Sequence, residues 1–327
     1  MRRQRRHGQA EVRNKSTVLR AVAGWMTGCM LKSDNRLKTQ NIGTSSAIIA
    51  LLLWSFYAPV VVFAGGINPF LFAGVLDGVA FLVFLALGMI GRENPLSELR
   101  SMPLWFLTSG VIGIGGHDIA LAAAFQSAPP LEAALLNYLW PLFLVIFTAA
   151  AQRKPLTVYH QAATCLGLAG VAIMLAGRGL AFTKISLCFG HFWALISALV
   201  WSAFSVICSR HGKVSRNLLS IIFLVSSSLE ILIWLYCFQA PPAPAQSLVI
   251  VGFAGIFFTL AYLFWSFGMK RGNIQLIGVA SFLTPVAATV YLSILGMAQF
   301  NTHLAAALCC IMLAIGIAKH AEKRVRP

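Results

Sequence analysis

Ten apolar stretches, each long enough to cross a bilayer and separated by short linkers, leave this chain few folds to choose from. Crossing the hydrocarbon core takes about 20 apolar residues in a helix. The stretches fall near 45–64, 71–91, 104–127, 131–150, 158–177, 187–209, 218–238, 248–269, 274–296 and 303–319. Lipid offers the backbone no hydrogen-bond partner, so each stretch must satisfy its own amides, as a helix does. The linkers carry breakers: Gly65-Gly66 with Asn68-Pro69, Pro129-Pro130, Pro155, and Pro241-Pro242 with Pro244. Composition agrees, because only 10% of the 327 residues are charged, against about 25% in a soluble domain.

Basic residues mark the two faces. The first 43 residues hold ten Lys and Arg, and alternate loops hold Arg92 and Arg100, Arg153 and Lys154, Arg210, Lys213 and Arg216, then Lys270 and Arg271. With Lys319, Lys323, Arg324 and Arg326, 23 of the 25 basic residues fall on one face, leaving Arg178 and Lys184 for the other. The positive-inside rule then predicts that both termini are cytoplasmic. One span more or fewer would scramble this alternation. The net charge of +16 therefore reports orientation, and without a basic-aromatic patch it implies no nucleic-acid partner. Val18–Leu31 is short for a span and is interrupted by Arg20, so residues 1–43 read as a basic tail. The seven Cys form no CxxC pair, which predicts buried thiols rather than a metal or disulfide framework.

The chain also repeats itself. Trp54-Ser55-Phe56-Tyr57 has a counterpart in Trp201-Ser202-Ala203-Phe204, and Asn137-Tyr138-Leu139-Trp140-Pro141 in Ser281-Phe282-Leu283-Thr284-Pro285. The two matches are offset by 147 and 144 residues. Five spans per half is an odd number, so the halves are inverted, as in many secondary transporters. The predicted fold is an all-α integral membrane protein, ten transmembrane helices in two inverted five-helix repeats around a central cavity. Residues 44–178 form the first repeat, 179–319 the second, and 320–327 a basic tail. Pro141 and Pro285 each lie about 15–17 Å into their spans, near the midplane. A proline there frees a carbonyl and kinks the helix, making either a packing kink or the rim of a cavity.

The span order, the paired repeats, Leu52-Leu53-Trp54-Ser55 and Asn137-Tyr138-Leu139-Trp140-Pro141 resemble the drug/metabolite transporter superfamily, specifically its EamA-type members. Glu132, the Asn137–Pro141 motif and Phe282, Thr284 and Pro285 are most similar to the bacterial aromatic amino-acid exporters. The resemblance covers about residues 44–319. It implies a bacterial inner-membrane carrier that exports amino acids or related metabolites by alternating access, with no cofactor. By motif it carries cavity-lining roles onto Tyr138, Trp140 and Trp201, and in the third span onto His117 and Asp118. Related exporters place Tyr with Glu or His at that pair, so this chain departs from the pattern there.

Asp77, Asp118 and Glu230 lie inside spans, Glu132 lies near the outer end of the fourth, and no Lys or Arg lies deep within any span. Intramembrane acids are costly and point to function. Each must be protonated, hydrated, bonded to backbone or His117, or met by an arriving cation such as an amino acid's ammonium. Asp118 is expected to bind that group, with His117, Tyr138 and Trp140 around the side chain. His160, His191, His211, His303 and His320 sit near span ends, where an interfacial role is expected.

Other classes fit less well. There is no phosphate loop (GxxxxGK followed by Ser or Thr), so no internal ATPase, and the paired halves need no ATPase subunit. A membrane enzyme would need a constellation such as HExxH, and the His residues are scattered. A channel or scramblase, or a carrier of amphiphilic cationic drugs, remains an alternative on physical grounds. The sequence leaves oligomeric state open.

Overall fold

The computed structural model describes residues 36–91, 103–153, 156–180, 187–210, 216–238 and 243–325. The tail expected over 1–43 therefore lies mostly outside the described residues, as do Arg92, Arg100, Lys154, Lys184 and Lys213. Among the described residues ten helices are long and apolar enough to cross a membrane. They are, in order, Lys38–Ala64, Pro69–Ile90, Leu104–Ser127, Glu132–Gln152, Val158–Gly177, Phe189–Arg210, Leu218–Cys237, Ala245–Arg271, Ile274–Ile294 and Thr302–Ala321, here spans 1 to 10.

Most span ends agree with the apolar stretches to within three residues. Span 1 begins earlier because its polar start turns inward. Thr44 Oγ1 accepts from the Asn273 amide at 3.0 Å, and the Ser46 hydroxyl donates to the Phe264 carbonyl at 2.9 Å. Capping residues set other starts: Asn68 accepts from the Phe70 amide ahead of Pro69, and Asn273 accepts from the Leu276 amide. The last helix continues through Val325, into the stretch read as tail.

Three spans are broken. Span 1 breaks between Trp54 and Tyr57, span 4 between Asn137 and Trp140, and span 9 between Ala280 and Leu283. A proline follows each break, at Pro59, Pro141 and Pro285, and its ring excludes the helical bond to the carbonyl four residues back. Those carbonyls belong to Ser55, Asn137 and Ser281. Breaks fall at Pro141 and Pro285, where the sequence places kinks, and also before Pro59, where it does not. Span 6, which carries the sequence match to Trp54–Tyr57, has no proline and runs unbroken over Phe189–Arg210. Span 3 departs differently, through a π-turn at Ile112–Gly116.

Hydroxyls inside the spans are spent on backbone carbonyls one turn back, as with Ser55 on Leu51, Thr164 on His160 and Thr259 on Gly255. These hydroxyls thus sit in the bundle with their donors met, whereas the buried Thr148, Ser226 and Thr284 hydroxyls and the Trp234 indole have no partner among the described residues. The largest buried cluster joins Leu51, Phe84, Phe106, Trp140, Trp201, Phe223, Trp265 and Ile277. A second joins spans 5, 9 and 10 through Met174, Phe282 and Ile311. Leu82, Val249, Phe253 and Leu313 are exposed, an apolar exterior suited to lipid.

The most extensive helix contacts pair span 2 with 7 and span 5 with 10. Span 3 meets 6, span 1 meets 8, and span 4 meets 9. Span 2 lies against span 7 because Gly74 has no side chain: an added Cβ would sit 2.7 Å from Ile231 Cγ1. Ser227 Oγ then donates to the Gly74 carbonyl at 2.7 Å. Gly74→Leu is expected to destabilise the protein by about 1–3 kcal/mol through overpacking, read as a lower unfolding midpoint in detergent. Leu82→Ala, on the lipid face, should leave the midpoint nearly unchanged; equal losses would show that this contact is not tight.

Candidate functional site

Broken span 1, bulged span 3 and broken span 4 meet the unbroken spans 6 and 8 in a group of six rings. Trp54 sits immediately before the break in span 1, edge-on to Trp201 with ring centroids 5.4 Å apart and to Tyr262 at 5.2 Å. Trp265 lies 5.4 Å from Trp54 and 6.1 Å from Trp201, and Trp140 meets Trp265 at 5.9 Å. His117 approaches Trp201 at 5.5 Å. Edge-to-face pairs of this kind add about 0.5–1.5 kcal/mol each beyond area burial. A cavity of about 20 Å³ opens among Trp201, Phe204, Tyr262 and Trp265, with Ser205 and Lys270 on its wall. One water needs about 10–15 Å³, so in this conformation an amino acid enters this space only if the rings part.

His117 is held from span 6. Its Nδ1 lies 2.9 Å from Ser197 Oγ and 3.1 Å from the Ser197 carbonyl. A carbonyl can only accept, so Nδ1 carries the proton. The Ser197 hydroxyl donates onward to Asn137 Oδ1 at 3.0 Å, which ties the break in span 4 to the same group. That leaves His117 Nε2 facing Asp118 Oδ1 across 3.6 Å. Two bare acceptors would repel, so one of them holds a proton. Trp140 is fixed by its own carbonyl, which accepts from Ser202 Oγ at 2.7 Å.

Asp118 belongs to a larger group. Asp77 of span 2, Asp118 of span 3 and Glu230 of span 7 each present an oxygen, and these atoms lie within 4.8 Å of one another. Asp77 is 3% exposed and Glu230 0%. Asp77 Oδ2 and both Glu230 oxygens have no hydrogen-bond partner. No sequence spacing announces this meeting, since the three acids come from three helices.

The expected residues separate into two sets. His117, Asp118, Trp140 and Trp201 come together, with Asn137 joined through Ser197. Tyr138 packs instead against the second core cluster, in which Phe282 is fully buried. Pro141, Ser281 and Pro285 are buried at the breaks. Trp54, Tyr262 and Trp265 were not expected in the site. The repeat held the signal: Trp54 is the counterpart of Trp201, and the same offset from His117–Asp118 lands at 261–265. Lys270 also reaches the cavity wall, although it lies at the end of span 8 in sequence.

Two histidines depart from the interfacial role expected of them. His191 is 4% exposed, and its Nε2 bonds Glu132 Oε2 at 2.8 Å while Nδ1 accepts from the Cys188 amide at 2.9 Å. It is covered because Gly190 packs directly on the Ser127–Ala128 backbone. His160 is buried beside Thr157 Oγ1, 2.7 Å from its Nδ1.

Ten membrane-crossing helices, three broken by proline, around rings edged by buried acids define a multi-pass membrane transporter. The chain belongs to the EamA-like transporter family, whose model matches residues 41–176 and again 188–318. The aromatic amino acid exporter YddG of Ancylobacter novellus is 31% identical over 88% of this chain and 100% of its own length. The aromatic amino acid exporter YddG of Escherichia coli K12 is 25% identical over 79% of this chain and 89% of its own. A solved crystal structure, 27% identical, superposes with a TM-score of 0.77 over 88% of this chain and all of that one.

The ring cluster makes a direct prediction. Trp54→Ala should destabilise the protein by about 3 kcal/mol and make the remaining tryptophan fluorescence more accessible to acrylamide. Unchanged quenching would mean that Trp54 does not shield the neighbouring rings.

Proposed function

We propose that this chain is a secondary transporter of a bacterial inner membrane that exports aromatic and other neutral amino acids from the cytoplasm by alternating access. The observation that carries this reading is the group of Trp54, Trp140, Trp201, Tyr262 and Trp265 with the Asp118–His117 pair at its edge. Ring faces suit both an apolar side chain and a cation, and Asp118 supplies the charge that meets an ammonium. The exporter names of the relatives support the same substrate class.

In this reading both termini are cytoplasmic, and residues 44–178 and 179–319 are inverted halves flanked by tails 1–43 and 320–327. Helix pairing supports the halves: spans 2 and 7, 4 and 9, and 5 and 10 are repeat counterparts in contact, and the 3–6 contact has its counterpart in 8–1. The breaks at Asn137–Trp140 and Ala280–Leu283 serve as matched hinges. The carrier works on a small molecule in the bilayer and involves no ATPase subunit, cofactor, nucleic acid or enzymatic step.

Efflux of radiolabelled L-phenylalanine from reconstituted vesicles tests this. Asp118→Asn should reduce the rate about tenfold or more, as loss of an intramembrane charge that meets the substrate implies. Wild-type efflux from a normally folded Asp118→Asn variant overturns the site. A second reading, export of amphiphilic cations, is favoured by the acids beside the rings; transport of tetraphenylphosphonium without transport of L-phenylalanine would select it.

A further inference from the structure

We propose that Asp77, Asp118 and Glu230 form an exchangeable proton site behind the rings, through which the transporter is driven by a proton gradient. This rests on the export reading above and adds its energy source.

The site is built by close packing. Gly74 lets span 2 settle against Ile231 and Glu230, and Gly115 in the π-turn does the same for span 3. An added Cβ at Gly115 would lie 2.5 Å from Ser226 Oγ, one turn from Glu230. Two neighbouring backbones thus press onto one side of span 7, and the acids of all three helices converge within 4.8 Å.

The site then calls for an occupant. Glu230 is wholly buried with both oxygens unpartnered, and Asp77 Oδ2 is buried and unpartnered too. Three ionised carboxylates cannot share so small a volume in hydrocarbon. Magnesium and calcium take six or more oxygen ligands at about 2.0–2.6 Å, often including water, whereas here one oxygen from each of three carboxyls converges, within 4.8 Å of one another. A proton needs no cavity, turns an acceptor into a donor and lowers the charge.

Asp118 connects this site to the rings. It is the partly exposed member, and its Oδ1 faces His117 Nε2, the ring nitrogen turned away from the Ser197 carbonyl. The phenols of Tyr57 in span 1 and Tyr262 in span 8 lie within electrostatic reach of all three acids. Lys270 and Arg271 stand two turns beyond Tyr262 at the end of span 8. Span 6 contributes Ser197, which bonds His117, and span 4 contributes Asn137, whose Oδ1 accepts from the Ser197 hydroxyl.

The cycle balances as an exchange. An arriving ammonium takes its place against Asp118, and one proton leaves the triad. After the zwitterion is released outside, one proton from that side returns to the triad and is carried inward. Each amino acid exported therefore brings in one proton and one positive charge.

Three readouts test the site in the full chain. First, the infrared C=O stretch of protonated carboxyls, measured on the purified protein at neutral pH, should weaken in Glu230→Gln and again in Asp77→Asn; its absence from the wild type overturns the proposal whatever is transported. Second, vesicles holding a pH-sensitive dye should show proton flux coupled to L-phenylalanine movement. Glu230→Gln, checked for folding by its unfolding midpoint, should lower gradient-driven transport about tenfold or more, with partial rescue by Glu230→Asp. Third, counterflow of labelled against unlabelled L-phenylalanine separates the two ideas. Intact counterflow without a response to a pH gradient overturns proton coupling and leaves export standing. Absent counterflow overturns export, and the infrared result then decides the proton site by itself. Transport that follows a sodium gradient at constant pH overturns the proton in favour of sodium.

Discussion

In hydrocarbon an unsatisfied amide or carbonyl costs several kcal/mol, and each departure from ideal helix in this protein is shaped by that constraint. Spans 1, 4 and 9 break where Pro59, Pro141 and Pro285 remove a helical bond, and nearby hydroxyls bond the surrounding carbonyls, as Ser55, Ser202 and Ser281 do. Span 3 instead absorbs an extra residue in its π-turn at Ile112–Gly116. Such turns recur at functional positions. Here the functional residues flank the interruptions: Trp54 before the first, Trp140 after the second, His117 and Asp118 after the π-turn. Where the helix gives way, side chains are released from the regular face pattern and turn toward a common centre.

Between helices the balance is different. Lipid tails are as apolar as leucine, so association depends on packing and hydrogen bonds rather than on escape from water. Glycines let spans 2 and 3 approach span 7, which is how three acids come to lie together without a hydrogen-bond donor on Glu230. The aromatic cluster relies on the same economy of space. Trp201 touches Trp54, His117, Tyr262 and Trp265, drawing spans 1, 3, 6 and 8 together beside a cavity of about 20 Å³. The packing of these rings is mostly edge to face, with the Trp265 indole N–H donating to Ser205 Oγ at 3.3 Å.

Much of this was legible in one dimension. Ten spans follow from length and hydropathy, and the kinks at Pro141 and Pro285 follow from the covalent limits of proline. His117, Asp118, Trp140 and Trp201 were reached by motif, and the structure brings those four together. Tyr138, from the same motif as Trp140, was not separable in sequence. Two residues apart across a helix break, the two rings point into different clusters. Trp54, Tyr262 and Trp265 are legible through the repeat, whose offset runs from Trp201 back to Trp54 and from His117 and Asp118 to 261–265.

The sequence by itself determined the number of spans, their breakers and the distribution of charge between two faces. Each of those depends on residues close together along the chain. Only the tertiary structure decided which side chains meet. Asp77, Asp118 and Glu230 are separated by 41 and 112 residues, and nothing local in their surroundings marks them as partners. His191 likewise reads as an interfacial group from its place near a span end, and is buried against Glu132 because a glycine lets two helix ends close over it. Hydropathy is a property of each segment and its solvent; a site is a property of the angles and distances at which segments pack, and these are set by small residues and helix breaks on several helices at once.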